Sequence, residues 1–228
     1  MKAVYFHPLF DEQKCSYRFS YCLSEAMKHQ KFVLERPDYR GTGDSSQPFC
    51  DVTLQTLRQD MDSLISKGAD VLIGLRFGAS LVFDYVSRIQ PKCNRVILVE
   101  PVFDGHQYIE YLLRKQRLKD RLSKLPDNFY QEETYINLGG YKTRRRFMDQ
   151  VRSFKLDVEE ETHFKGYHVL LLLTRIRLSA VEKNLISKLK QYNQIDVTHI
   201  SFPDIWERIP IIDYLPLIKP VIGWCHER

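Results

Sequence analysis

The chain has 228 residues, 43% of them hydrophobic and 28% charged, which fits one globular domain with at most a small appended subdomain and excludes disorder as the main state. No run approaches the roughly 18 apolar residues of a membrane span, and Ala3–Phe6, ahead of His7 and Pro8, is too short for a signal-peptide core. The net charge of +5 is unevenly spread: residues 111–125 and 141–155 carry +10 together and leave the remainder at −5. This composition predicts a cytoplasmic protein with no transmembrane segment and, through its basic segments, an anionic partner or two solvated helix faces. No nucleic-acid motif accompanies the charge, so no nucleic acid is expected.

In chain order, Ala3–Phe6 reads as a short buried strand, and Phe19, Cys22, Leu23, Ala26 and Met27 then recur at helical spacing. Phe32–Leu34 is a second strand, ended by Pro37. Leu54, Leu57, Met61, Leu64 and Ile65 form the next apolar helical face, and Gly68 stands where a C-cap belongs, just before a third strand at Val71–Ile73. Val96–Val99 is the fourth strand, ended by Pro101. Val169–Leu173 and Val197–Ile200 are the fifth and sixth, with Val181, Leu185, Leu189 and Tyr192 on a helix between them and Pro203 beyond. Alternation of this kind specifies an α/β fold: three layers, a parallel sheet of about six strands, and helices on both faces.

The rhythm breaks once. Between Asp104 and His168 lie about sixty residues of helical, strand-free pattern that contain both basic segments. There Leu118, Leu122 and Leu125, then Phe147, Val151 and Phe154, are spaced to rest an apolar stripe on the sheet's edge. The expected organisation is a core of residues 1–104 and 166–228 with a basic helical cap inserted at 105–165.

In an open parallel sheet a ligand lies beyond the carboxyl ends of the strands, which directs attention to His7-Pro8, Asp38–Ser45, Gly74–Gly78 and Glu100-Pro101. Gly74-Leu75-Arg76-Phe77-Gly78 passes from strand to helix between two glycines four apart. That is the frame of a nucleophile elbow, G-x-S-x-G, with Arg76 at its centre. Arg76 is a bidentate anion donor at a helix N-terminus, or else a structural ion pair, most simply with Glu100 or Asp38. Ser80 reads as a packing residue more than a displaced nucleophile. Ser45, Arg40 and Asp38 hold their own loop by local hydrogen bonds. Trp206 with Phe202 walls an apolar pocket or packs in the core. The five cysteines form no CxxC pair and the histidines no ligand spacing, so neither a disulfide framework, a metal nor any cofactor is expected.

The elbow resembles that of the α/β-hydrolase superfamily with its serine replaced. Arg36-Pro37-Asp38-Tyr39-Arg40-Gly41-Thr42-Gly43-Asp44-Ser45 is similar to that superfamily's D-x-R-G-x-G-x-S loop, and His7-Pro8 stands where it has its oxyanion loop. The chain further resembles the subgroup called hydrolase 2 of the exosortase A system. The matching residues are His7-Pro8-Leu9-Phe10, Glu12 with Ser16 and a late Arg18, Gly74-Leu75-Arg76-Phe77-Gly78-Ala79, Gly140-Tyr141 and Ile205-Trp206. The resemblance implies an acid after the penultimate strand and a histidine after the last. The chain instead has Thr174-Arg175-Ile176-Arg177 and Ser201-Phe202-Pro203-Asp204-Ile205-Trp206 there. It also implies a missing first hairpin, whose bared strand edge a second subunit would cover, and hence a homodimer.

Three functions stay open on sequence. The first is a non-catalytic α/β-hydrolase-fold protein binding an anionic small molecule, acyl or glycan group through Arg76, Phe77, His7, Pro8, Glu100 and Trp206. The second is an ester or thioester hydrolase of non-standard mechanism. In it Arg76 stabilises an oxyanion and Asp38, Glu100 or His7 activates water. The third is a scaffold with a vestigial pocket.

Overall fold

Runs of apolar residues buried at every position form the strands, because a parallel sheet covered on both faces leaves no side of a strand in water. The computed structural model describes residues 1–124, 133–156, 164–175, 177–208 and 211–226. They divide into two compact units: residues 1–37, 62–102 and 156–228 in the first, and 38–61 with 103–155 in the second.

The first unit holds six parallel strands, β1 (Lys2–Phe6), β2 (Val33–Glu35), β3 (Val71–Leu75), β4 (Arg95–Val99), β7 (His168–Leu173) and β8 (Gln194–His199), in the order β2-β1-β3-β4-β7-β8. All six expected strands are present, displaced by a few residues at most. Register pairs Tyr5 with Ile73, Ile73 with Ile97 and Ile97 with Leu170, so their side chains form one continuous row. That row belongs to a core closed by Phe19, Leu23 and Met27 of α1 (Asp11–His29) and Leu217, Ile218, Val221 and Trp224 of α7 (Leu215–His226). Alternate strand residues, among them Val4, Leu72 and Leu171, are equally buried on the opposite face. Helix α3 (Phe77–Ile89) and the capping-boxed α6 (Ala180–Lys190) complete the layers. At the amino ends of the strands, Arg95 donates to the carbonyls of Trp224 and Cys225, a cation holding the C-terminus of α7. Gly68 takes φ 89° and returns its N–H to Ile65, as a C-cap requires.

The second unit is not strand-free. Besides α4 (Gly105–Leu122) and α5 (Arg145–Arg152) it contains an antiparallel hairpin, β5 (Tyr135–Leu138) and β6 (Tyr141–Arg144), turned by Gly139 and Gly140, both at positive φ. A Cβ on Gly105 would collide with the carbonyl of Val151, and Gly105 N–H donates to Phe154 at 2.8 Å, so α4 and α5 approach closely. Phe147, Val151 and Phe154 are buried as their spacing predicts. Leu118 and Leu122 are not: they are 59% and 76% exposed, and α4 buries Tyr108, Ile109 and Leu112 instead. Leu125 lies outside the described residues. Residues 38–61 also belong to this unit, including a 3-10 turn at Phe49–Asp51 and most of α2 (Leu54–Ile65).

Candidate functional site

Arg76 is the residue between β3 and α3, at φ 54° and ψ −124°, a backbone conformation that L-residues seldom adopt. Its two flanking glycines make the turn possible. A Cβ on Gly74 would strike the backbone of Ala79, and one on Gly78 would strike the carbonyl oxygens of Phe6 and His7 at the end of β1. The turn is held further by Arg76 N–H donating to Val99 and by Ala79 N–H donating to Arg76. Two other non-glycine residues at the carboxyl ends of neighbouring strands also sit at positive φ: Phe10 before α1 and Glu100 after β4.

The Arg76 guanidinium donates from Nε and Nη2 to Oε1 of Glu12, at 3.4 and 3.2 Å, and lies 4.8 Å over the ring of Trp206. Its side chain is 16% exposed and that of Glu12 is fully buried. Glu12 stands in the first turn of α1, where the helix dipole favours a carboxylate, and Ser16 one turn on donates to the Glu12 carbonyl at 2.8 Å. The Glu12 and Ser16 pattern read in the sequence is therefore the platform for Arg76. Glu100 and Asp38 were the expected partners, and Glu12 is the one found. Sequence spacing gave no means of choosing among them, because residues 12 and 76 meet only through the β1–β3 pairing.

Glu100, 3% exposed, is engaged by the turn after β7: Thr174 N and Oγ1 donate to Oε1 at 2.6 and 3.1 Å, and Arg175 Nε donates to Oε2 at 3.2 Å. Arg175 also donates to Glu182 at 2.6 Å, and its carbonyl lies 2.7 Å from Nδ1 of His199 at the end of β8. Asp204, exposed, lies in the field of Arg76, Glu100 and Arg175. Glu207 is half-buried, and burial pushes its carboxyl above the usual range against the pull of Arg76. Neither Glu12 nor Glu207 was singled out as a site residue in the sequence.

His7 is fully buried, edge-on to Tyr5 at 4.8 Å between ring centroids and stacked with Tyr17 at 6.0 Å. Burial first, then the charge of Arg36, pulls its pKa down to about 4, so it is neutral at pH 7. Pro8 and Phe77 are buried too. All three, read in the sequence as ligand contacts, are buried in this structure. Trp206 is 4% exposed and packs in the core, one of the two roles read for it in the sequence, and its ring also faces Arg76, a contact the sequence did not indicate. Ser80 is a structural residue: its hydroxyl donates to Val102 O at 2.8 Å and accepts from Val102 N at 2.9 Å.

In the second unit, Gly41 N–H donates to Ser45 Oγ at 2.9 Å, and the Asp38 carboxyl occupies the space a Cβ on Gly43 would need, so this loop does secure itself. Arg40 reaches further than local hydrogen bonding predicts, pairing with Asp60 on α2.

No family model and no curated protein matches the sequence. Solved structures do match. Est1E from Butyrivibrio proteoclasticus, bound to ferulic acid, superposes with a TM-score of 0.60 at 13% identity over 98% of this chain and 87% of that one. The α/β-hydrolase domain-containing protein 10 from mouse gives 0.55 at 14%, over 98% and 89%. A thioesterase domain from the curacin biosynthetic pathway gives 0.56 at 15%, over 98% and 90%. The fold is that of the α/β-hydrolases. At such identities the likeness is one of architecture, and the activities in those names belong to those proteins. Among the described residues, no helix is long and apolar enough to cross a membrane.

Proposed function

We propose that this α/β-hydrolase-fold chain lacks a Ser-His-Asp triad and binds a small anionic molecule, an acyl carboxylate or an acidic glycan group, at the Arg76 elbow. One observation carries the reading: the central residue of the strand-to-helix turn is an arginine fixed by Glu12 below and Trp206 above. A guanidinium stays protonated at any working pH and is no nucleophile, but a fixed planar fork is suited to a carboxylate. Glu12 balances its charge, so recognition rests on directed hydrogen bonds more than on net attraction.

Ester hydrolysis with Arg76 as oxyanion donor draws less support, because His7 is sealed in the core and the Glu100 carboxylate is engaged by Thr174 and Arg175. The test combines a panel of chromogenic acyl esters and thioesters with calorimetric titration of octanoate and glucuronate. Expected are no turnover and carboxylate binding weakened about tenfold in Arg76→Gln, the loss of one charge-assisted pair. Arg76→Gln alone removes the cation paired with the buried Glu12, at a cost of about 3–5 kcal/mol, so the double variant with Glu12→Gln is measured beside it. Turnover by the parent that disappears in Arg76→Gln overturns the reading in favour of a hydrolase; binding untouched by either variant overturns the role of Arg76.

A further inference from the structure

A second surface, independent of the Arg76 reading, lies on α4. The packed side of this helix runs through Ile109, Leu112, Gln116 and Asp120: Ile109 and Leu112 are buried, Gln116 accepts from Gly139 N–H at 2.9 Å, and Gln116 donates to Asp120 at 2.7 Å. At 3.6 residues per turn, Tyr111, Leu118 and Leu122 fall together in one line on the opposite side. Leu118 is 59% and Leu122 76% exposed, and Tyr111 is partly exposed. Arg114 and Arg121 flank this line on one side, and Lys115 and Lys119 flank it on the other. Asp120, the sole acid between residues 111 and 124, is on the packed side.

We propose that this face of α4 docks on an anionic phospholipid bilayer, with Leu118 and Leu122 entering the boundary between headgroups and acyl chains. The flanking arginines and lysines lay their apolar stems beside the leucines and extend their charges to lipid phosphates. An apolar line with cations on both flanks of a convex helix complements a flat anionic plane. A nucleic-acid backbone has no use for two leucines at the centre of its contact, and the apolar line therefore decides between these polyanions.

The test is co-sedimentation of the full chain with phosphatidylcholine vesicles, with and without phosphatidylglycerol. Binding is expected only where phosphatidylglycerol is present and falls with added salt. Leu118→Ser with Leu122→Ser, and separately Arg114→Glu with Arg121→Glu, each weaken partition by about tenfold or more. Lys28→Glu, a charge reversal on the exposed side of α1, leaves it unchanged. Leu118→Trp retains an apolar side chain and shifts its emission to the blue on the anionic vesicles. No binding to those vesicles, binding indifferent to the leucines, no emission shift, or tighter binding to an oligonucleotide that ignores the leucines each overturns the proposal.

Discussion

At residue 7 an imidazole sits fully buried between Tyr5 and Tyr17, beside the positive Arg36, with its pKa held at about 4 against an ordinary 6.5. Above pH 6.5 folded and unfolded chains both leave it neutral. Below that, the unfolded chain takes up a proton that the folded chain refuses, so stability falls from pH 6.5 to about 4 by about 3 kcal/mol. Urea unfolding of the parent and of His7→Phe between about pH 7.5 and 4.5 measures this: the pH slope of the variant is the shallower one. An equal slope in the two proteins would exclude His7 as its source. The sequence placed His7 correctly at a strand end, yet burial on all sides is a property of the neighbours, Tyr17 one helix away and Arg36 beyond the second strand. Arg76 teaches the same lesson. Its place in the turn is written in Gly74 and Gly78, whereas its partner Glu12 is 64 residues away in sequence.

Among the elements, the β3–α3 turn makes the strongest demand on sequence, since Gly78 is pressed against the carbonyls of Phe6 and His7. Gly78→Ala forces backbone against backbone and is expected to cost about 3 kcal/mol or more. Gly223→Ala in α7 is the matching control. Its Cβ meets nothing within 4 Å, so the change is neutral or stabilises by up to about 1 kcal/mol. Thermal denaturation of the two variants beside the parent separates steric need from helix propensity; similar melting temperatures would refute the close approach. The β5–β6 hairpin was missed in the sequence although its signal is there. Gly139-Gly140 between two short segments is a two-residue turn with both residues at positive φ, but the surrounding helical periodicity and basic charge masked the period of two. Leu118 and Leu122 were misplaced for a related reason. Helical spacing identifies a line of apolar residues, but it carries no information on whether anything packs against that line.

For the whole molecule, hydrolysis by the superfamily's usual route needs a nucleophile, a base and an acid delivered by three separate strand ends. Supplying the first alone should therefore do nothing. Arg76→Ser is expected to show no turnover of chromogenic acetate or butyrate esters above the parent, since a serine hydroxyl needs a neighbouring base and the His7 imidazole is buried between Tyr5 and Tyr17. Turnover appearing in Arg76→Ser would reveal a competent base at the elbow and would argue that the rest of the catalytic apparatus survives. The sequence by itself determined the six parallel strands, the helices between them and the elbow with its two glycines. All of these are local: hydrophobic period, turn chemistry and residue type act over a few neighbours. Only the tertiary structure decided that Glu12 holds Arg76, that Glu100 serves Thr174 and Arg175, that His7 is sealed, and that α4 turns its leucines outward. Those are contacts between segments far apart in the chain, fixed by strand order and by which side of each element the rest of the protein covers.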